Sequence, residues 1–175
     1  MRREAAFTLV ELLVVLVVAA IGLSLAIPSF RTLVQGNRAA TAVNTFITAL
    51  MSARSEAIKR GQRVTVCKST DGATCAASGG YEQGFIVFVD VNDDATVSDA
   101  SLVLRVFDAL PGLTARGNTH VADYVSYLPS GLNAKTSGAI QPGTVKICAG
   151  DVVRHVAISN TGRPRVEAGA AGDCS

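Results

Sequence analysis

The chain has 175 residues, of which 49% are hydrophobic and 5% aromatic with no tryptophan, and 16 Lys and Arg against 14 Asp and Glu leave a formal net charge of +2. So near-neutral a balance excludes a protein that coats nucleic acid by bulk charge, and any such binding has to come from a local patch. The length beyond the N-terminal segment is room for one domain, with a core of Val, Ile, Leu and Ala.

The first predicted element is an apolar run. From Phe7 to Ile27 the one formally charged side chain is Glu11. Helical residues at about 1.5 Å each carry this run across roughly 31 Å, the hydrocarbon thickness of a bilayer. A carboxylate inside a span costs on the order of 2.5–3.5 kcal/mol on insertion scales, so it marks a function or a partner. Two plainer readings fit part of the run. A secretory signal would cut after Ser24-Leu25-Ala26, but Glu11 sits badly in its core; in a simple single-span anchor, Glu11 would be an accident. Arg2 and Arg3 place the short leader in the cytoplasm and the rest of the chain outside it.

The string Phe7-Thr-Leu-Val-Glu11-Leu-Leu-Val-Val15 resembles, residue for residue, the class III signal of type IV prepilins and type II secretion pseudopilins. The resemblance implies a leader over 1–6, cleavage by a prepilin peptidase between Ala6 and Phe7, and methylation of the new Phe7 amine. It also implies a retained helix over 7–27, a membrane span and later a filament-core helix, in which Glu11 meets the terminal amine of a neighbouring subunit. That pattern normally has Gly before the cut. Here it is Ala6, still small enough for a protease subsite.

The second element continues the helix over 28–61. Phe30, Leu33, Val34, Val43, Phe46, Ile47, Leu50, Met51, Ala57 and Ile58 recur at three-and-four spacing, with Gly61 as a stop. The first part is apolar all round and needs lipid or neighbouring helices, whereas the second is apolar on one side and needs a sheet to lie on. Pro28 and Gly36 are expected to bend or loosen the helix.

Over 62–175 the pattern changes to short β-type runs at 63–68, 84–90, 102–110, 124–128, 144–148, 153–159 and 165–167. The expected fold class is α+β: a long N-terminal helix whose amphipathic half covers an antiparallel sheet head. Cys67, Cys75, Cys148 and Cys174 all fall beyond the span, in the part expected to face an oxidising compartment. Three connectivities are open; Cys67 with Cys75, closing a polar loop, and Cys148 with Cys174, tying down the C-terminus, are preferred. No Cys-x-x-Cys occurs, and His120 and His155 lie at no zinc-ligand spacing.

The blocks Gly84-Phe-Ile-Val-Phe-Val-Asp90, Tyr124-Val-Ser-Tyr-Leu-Pro-Ser-Gly131, Val145-Lys-Ile-Cys148 and His155-Val-Ala-Ile-Ser-Asn-Thr-Gly-Arg163 are similar, in that order, to those of the GspH/FimT/FimU branch of minor pilins and pseudopilins. Membership implies a pilin-like fold, assembly with other pilins or pseudopilins, an inner-membrane anchor with a periplasmic head, and no cofactor. Gly162-Arg163-Pro164-Arg165 is similar to the Gly-Arg-x-Arg that FimT-type pilins use to bind DNA during uptake for natural transformation. Read from the residues, Asn160-Thr161-Gly162 is a turn and Pro164 restrains Arg163, so two guanidinium groups stand at a loop tip where each can take a phosphate bidentately. Arg154, His155 and Lys146 could widen that patch. The plainer reading leaves Arg163 and Arg165 solvated or paired with Glu167 and Asp173.

Asp90-x-Asn92-x-Asp94 has the spacing of the first half of a calcium loop, but Ala95 stands where an EF-hand has Gly and Ser101 where it has Glu. An Asx-rich turn explains the same residues, so no metal is expected. No catalytic constellation is present in the sequence, and the expected activity is structural and binding rather than enzymatic.

Overall fold

The computed structural model describes residues 8–170 and 173; of residues 25–28 it gives the backbone only. The chain divides into two units, 1–34 and 35–175. A single helix, α1 (Leu9–Arg60), contributes to both. The expected leader, the expected cleavage site at Ala6/Phe7 and Cys174 lie outside the described residues.

In the first unit Thr8 caps α1: the Glu11 amide donates to Thr8 Oγ1 at 3.2 Å and the Leu12 amide to the Thr8 carbonyl at 3.2 Å. Thr8 and Glu11 thus stand at the N-cap and third positions of a capping-box sequence, with an acid where the helix dipole favours one. Leu12, Leu13, Leu16 and Ile21 are all exposed within the chain. By length and composition α1 can cross a membrane, its apolar window having a mean hydropathy of 2.8. The expected loosening at Pro28 and Gly36 does not interrupt the helix, which runs through both positions. A proline removes one intrahelical donor, and hydrogen-bonded turns continue on either side.

The second unit is built on a small-residue stripe. Ala39, Ala42, Ala49, Ala53 and Ala57 are buried with Val43, Phe46 and Leu50, all on one face of α1. Phe30, Leu33, Met51 and Ile58, placed on the covering stripe by their spacing, are instead exposed. Alanines recur at three-and-four spacing as well, and they let the helix approach the sheets more closely than larger side chains would.

Eight strands follow among the described residues: β1 (Val64–Lys68), β2 (Phe85–Val89), β3 (Val103–Phe107), β4 (Thr114–Gly117), β5 (Tyr124–Tyr127), β6 (Gly143–Ala149), β7 (Val152–Ile158) and β8 (Pro164–Ala168). They form two antiparallel four-stranded sheets, ordered β3-β2-β1-β5 and β4-β6-β7-β8. The inner faces of both enclose the helix stripe. Phe46 is the centre of this core, edge-on to Tyr81 at 4.9 Å and to Phe85 at 5.4 Å. β4 was not expected, because Thr-Ala-Arg-Gly buries only Ala115 and so carries no hydrophobic alternation.

The outer face of the first sheet is also covered. Cys67, Ile86 and Phe88 form a second apolar cluster with Cys75, Val97, Val103 and Tyr124. One cover is the loop closed by the Cys67–Cys75 disulfide. Within it, hydrogen bonds from the Thr74 hydroxyl and from the Thr74 and Ala73 amides hold the Asp71 carboxyl far below its usual pKa. The other cover is the Asp90 loop, whose amides are satisfied internally: Asp94 N–H donates to Asp90 Oδ1 at 3.1 Å, and Ala95 N–H and Thr65 Oγ1 each donate to Asp90 Oδ2 at 3.0 Å.

Candidate functional site

The Gly-Arg-Pro-Arg segment forms the turn between β7 and β8 and the start of β8. The Gly162 amide donates to the Ser159 carbonyl at 2.9 Å, the Ser159 amide to the Arg163 carbonyl at 3.1 Å, and the Arg163 amide to Ser159 Oγ at 3.2 Å. Gly162 has φ +74°, and a Cβ there would lie 2.8 Å from Tyr127 Cε1 and 3.2 Å from the Gly131 carbonyl oxygen. Only glycine suits both conditions. The buried Tyr127 hydroxyl donates to the Gly162 carbonyl at 3.1 Å. Desolvation raises that phenol's pKa well above its ordinary value, opposed by the charge of Arg54. Pro164 opens β8, which is an edge strand and so tolerates a residue without an N–H.

The two arginines of the motif have different surroundings. Arg163 lines a groove of about 550 Å³ with Pro164 and with Met51, Arg54, Ser55 and Ile58 of α1. Arg165 pairs with Ala157 in the strand register, on the face opposite the core residues Val156 and Ile158. Its Nε lies 2.6 Å from Glu167 Oε1, the pairing that the plainer sequence reading anticipated. Both ends of that contact are exposed, so it is worth no more than about 1 kcal/mol and breaks readily for a better anion.

The residues expected to widen the patch fall on two faces of the second sheet. Lys146 and His155 are paired across β6 and β7, and the same row runs from Arg116 on β4 to Glu167 on β8. Arg116, Lys146 and His155 of this row line a groove of about 610 Å³ on the outer face of the second sheet. Its cations are locally answered, Arg116 by Glu82 at 2.7 Å and Lys146 by the Asp173 carbonyl, to which its Nζ donates at 3.4 Å; His155 Nε2 lies 3.3 Å from Asp173 Oδ2 without forming a hydrogen bond. Arg154 does not join that row. It pairs with Ile147, a core residue, four positions from Ile158, so about 13 Å of strand separates it from the Arg163 end of β7. The alternation that puts Lys146 and His155 outside puts Arg154 on the other face.

Among the other sequence-derived candidates, Asp90 is turned inward and is 2% exposed, while Asn92 and Asp94 are exposed. The Asp94 carboxylate accepts from the Thr96 hydroxyl at 2.6 Å and amide at 2.8 Å, which lowers its pKa. These oxygens serve the turn itself. Cys148 lies on the outer face of β6 beside Lys146; its proposed partner, Cys174, is not described. Arg54 and Arg116 were missed by sequence reasoning. For Arg54 a signal existed: Met51, Arg54, Ser55 and Ile58 repeat at i, i+3, i+4 and i+7, a second helical face beside the buried one.

Comparison with known proteins adds to this geometry. A pattern described as prokaryotic N-terminal methylation motif matches residues 1–27, and the family described as type II transport protein GspH matches residues 42–162, more than half of the chain. Among solved structures, the type IV minor pilin FimU of Pseudomonas aeruginosa is similar with a TM-score of 0.61 at 21% identity, over 79% of this chain and 96% of that one. The minor pseudopilin EpsH from the Type 2 Secretion System of Vibrio cholerae is similar with a TM-score of 0.50 at 18% identity, over 75% of this chain and 97% of that one. At such identities the likeness is one of fold. No curated protein matches the chain.

Proposed function

The chain belongs to the GspH family of minor pilins and pseudopilins and carries its N-terminal methylation motif; from that premise we propose that it is a subunit of a type IV pilus-like filament whose exposed head retains DNA through Arg163 and Arg165. In this reading a prepilin peptidase cuts between Ala6 and Phe7 and the Phe7 amine is methylated. The helix holds the subunit in the inner membrane, head in the periplasm, until it exchanges lipid for neighbouring helices. Glu11 then meets the terminal amine of a neighbouring subunit and sets its register, and Cys148 pairs with Cys174.

The observation that carries the DNA reading is the Arg163 turn. It is fixed by its own hydrogen bonds, by Gly162 and by Tyr127, and among the described residues no carboxylate pairs with Arg163. A guanidinium on an ordered backbone loses little entropy when it takes a phosphate. The family match ends at residue 162, so it does not bear on either arginine. With so few contacts one subunit binds weakly and without sequence preference, and several copies along a filament add avidity. Replacing both by alanine removes DNA retention at low salt and leaves thermal unfolding of the head unchanged. Equal gel shifts for mutant and parent would refute the DNA role.

The family description favours a second reading: an H-type minor pseudopilin of a type II secretion system that helps initiate pseudopilus assembly. Deleting the gene separates the two, since loss of secreted proteins with normal transformation points to secretion and the converse to the pilus.

A further inference from the structure

We propose that Arg54, on α1, is a third phosphate-binding residue of this site, so that the polyanion lies in the groove between α1 and the β7–β8 turn. The proposal rests on the nucleic-acid reading above. Met51, Arg54, Ser55 and Ile58 form one wall of that groove, and Arg163 with Pro164 forms the other. No acidic residue lines it among the described residues. Among the described residues, no carboxylate pairs with Arg54 or with Arg163. This contrasts with the outer face of the second sheet, where Arg116, Arg165 and His155 each have an acid within reach.

Arg54 is also ordered from below. A Cβ on Gly131 would lie 3.3 Å from Arg54 Nε and 2.9 Å from Ile58 Cδ1, so both side chains lie across this glycine. The carbonyl of the same glycine abuts Gly162, whose Cβ would stand 3.2 Å from its oxygen. Loop and turn are therefore back to back, and they hold Arg54 and Arg163 on one opening. Two cations without counter-charges in one groove repel each other, and a phosphate between them removes that repulsion while releasing its own counterions. The apolar surfaces of Met51, Ile58 and Pro164 between them suit the sugar and base faces of a single strand better than an ordered hydration shell. Sequence preference is not expected, because contacts to phosphate carry no base information.

The experiment uses the full chain in detergent and a fluorescent single-stranded oligonucleotide of mixed sequence, with anisotropy followed across a salt series. Arg54→Ala is expected to weaken binding about tenfold at low salt and to reduce the slope of log K against log salt by about 0.7, as loss of one phosphate contact requires on a single strand. Arg54→Lys recovers part of the affinity and all of the slope. Unchanged affinity and slope for Arg54→Ala, with both reduced for Arg163→Ala, would overturn the proposal while leaving the DNA reading intact. If Arg163→Ala and the Arg163/Arg165 double mutant also bind like the parent, the DNA reading itself fails. Loss of filament incorporation by Arg54→Ala with DNA affinity unchanged would overturn the proposal in favour of a neighbouring subunit in the groove.

Discussion

Tyr127 and Gly162 show how single side chains set the geometry of the proposed site. Because Gly162 holds φ +74° with an aromatic ring 2.8 Å from the position of a Cβ, Gly162→Ala should destabilise the head by about 1–3 kcal/mol, seen as a lower urea midpoint. It should also weaken DNA retention although both arginines remain. Tyr127→Phe leaves the ring and removes the hydrogen bond to the Gly162 carbonyl, so the expected loss is about 1 kcal/mol. Burial raises the pKa of both Tyr81 and Tyr127 above the ordinary 10.0. Above that pH the folded state keeps phenolic protons that the unfolded chain releases, so this contribution to stability is complete below about pH 10 and falls as pH rises beyond it. A double Tyr→Phe variant should show a flatter fall in urea midpoint between neutral and strongly alkaline buffer; an unchanged slope would exclude the two phenols as its cause.

At the scale of elements, α1 and the disulfide loop carry the clearest expectations. Ala53 is fully buried on the helix face that meets the sheets, and Ala53→Leu should overpack it at a cost of about 1–3 kcal/mol. The same change at Ser55, on the groove face, should cost far less. Removing the Cys67–Cys75 bridge, which closes a loop of sequence separation 8, should cost roughly 2.5 kcal/mol on loop-entropy grounds, checked by urea unfolding of Cys67→Ser/Cys75→Ser. This bridge was legible because its polar turn residues allow a short closure. The helix and seven of the strands were legible from periodicity and turn residues. The large apolar residues led the reading of α1 astray: Met51 and Ile58 stand one position away from Leu50 and Ala57, and about 100° of rotation per residue carries them off the buried face. A sheet divided in two leaves no mark in local sequence, since pairing partners such as Cys67 and Tyr124 lie far apart in the chain.

For the whole molecule, the chain divides into residues 1–34, which hold the apolar start of α1, and residues 35–175, which hold the two sheets. A fragment beginning at residue 35 has its own core around Phe46, and it should be soluble and melt cooperatively; an aggregated or non-cooperative product would show that the head depends on its anchor. Glu11→Ala should leave membrane insertion intact and impair incorporation into filaments, measured by fractionation and by sheared-filament blotting, and normal incorporation would count against the pairing model. The family was legible at the N-terminus because its methylation motif is a contiguous string, over residues 1–27. At the other end only Arg163 and Arg165 stood out in the sequence, because the groove brings Arg54 beside Arg163 through folding, from more than half the chain away. Gly131 and Gly162 keep the turn's shape without using any of the three arginines. On the proposed reading, a single codon change at Arg54 or Arg163 removes a phosphate contact while the turn keeps its fold. Under that proposal, DNA binding and folding rest on different residues of the same turn, so binding can be lost without loss of the fold.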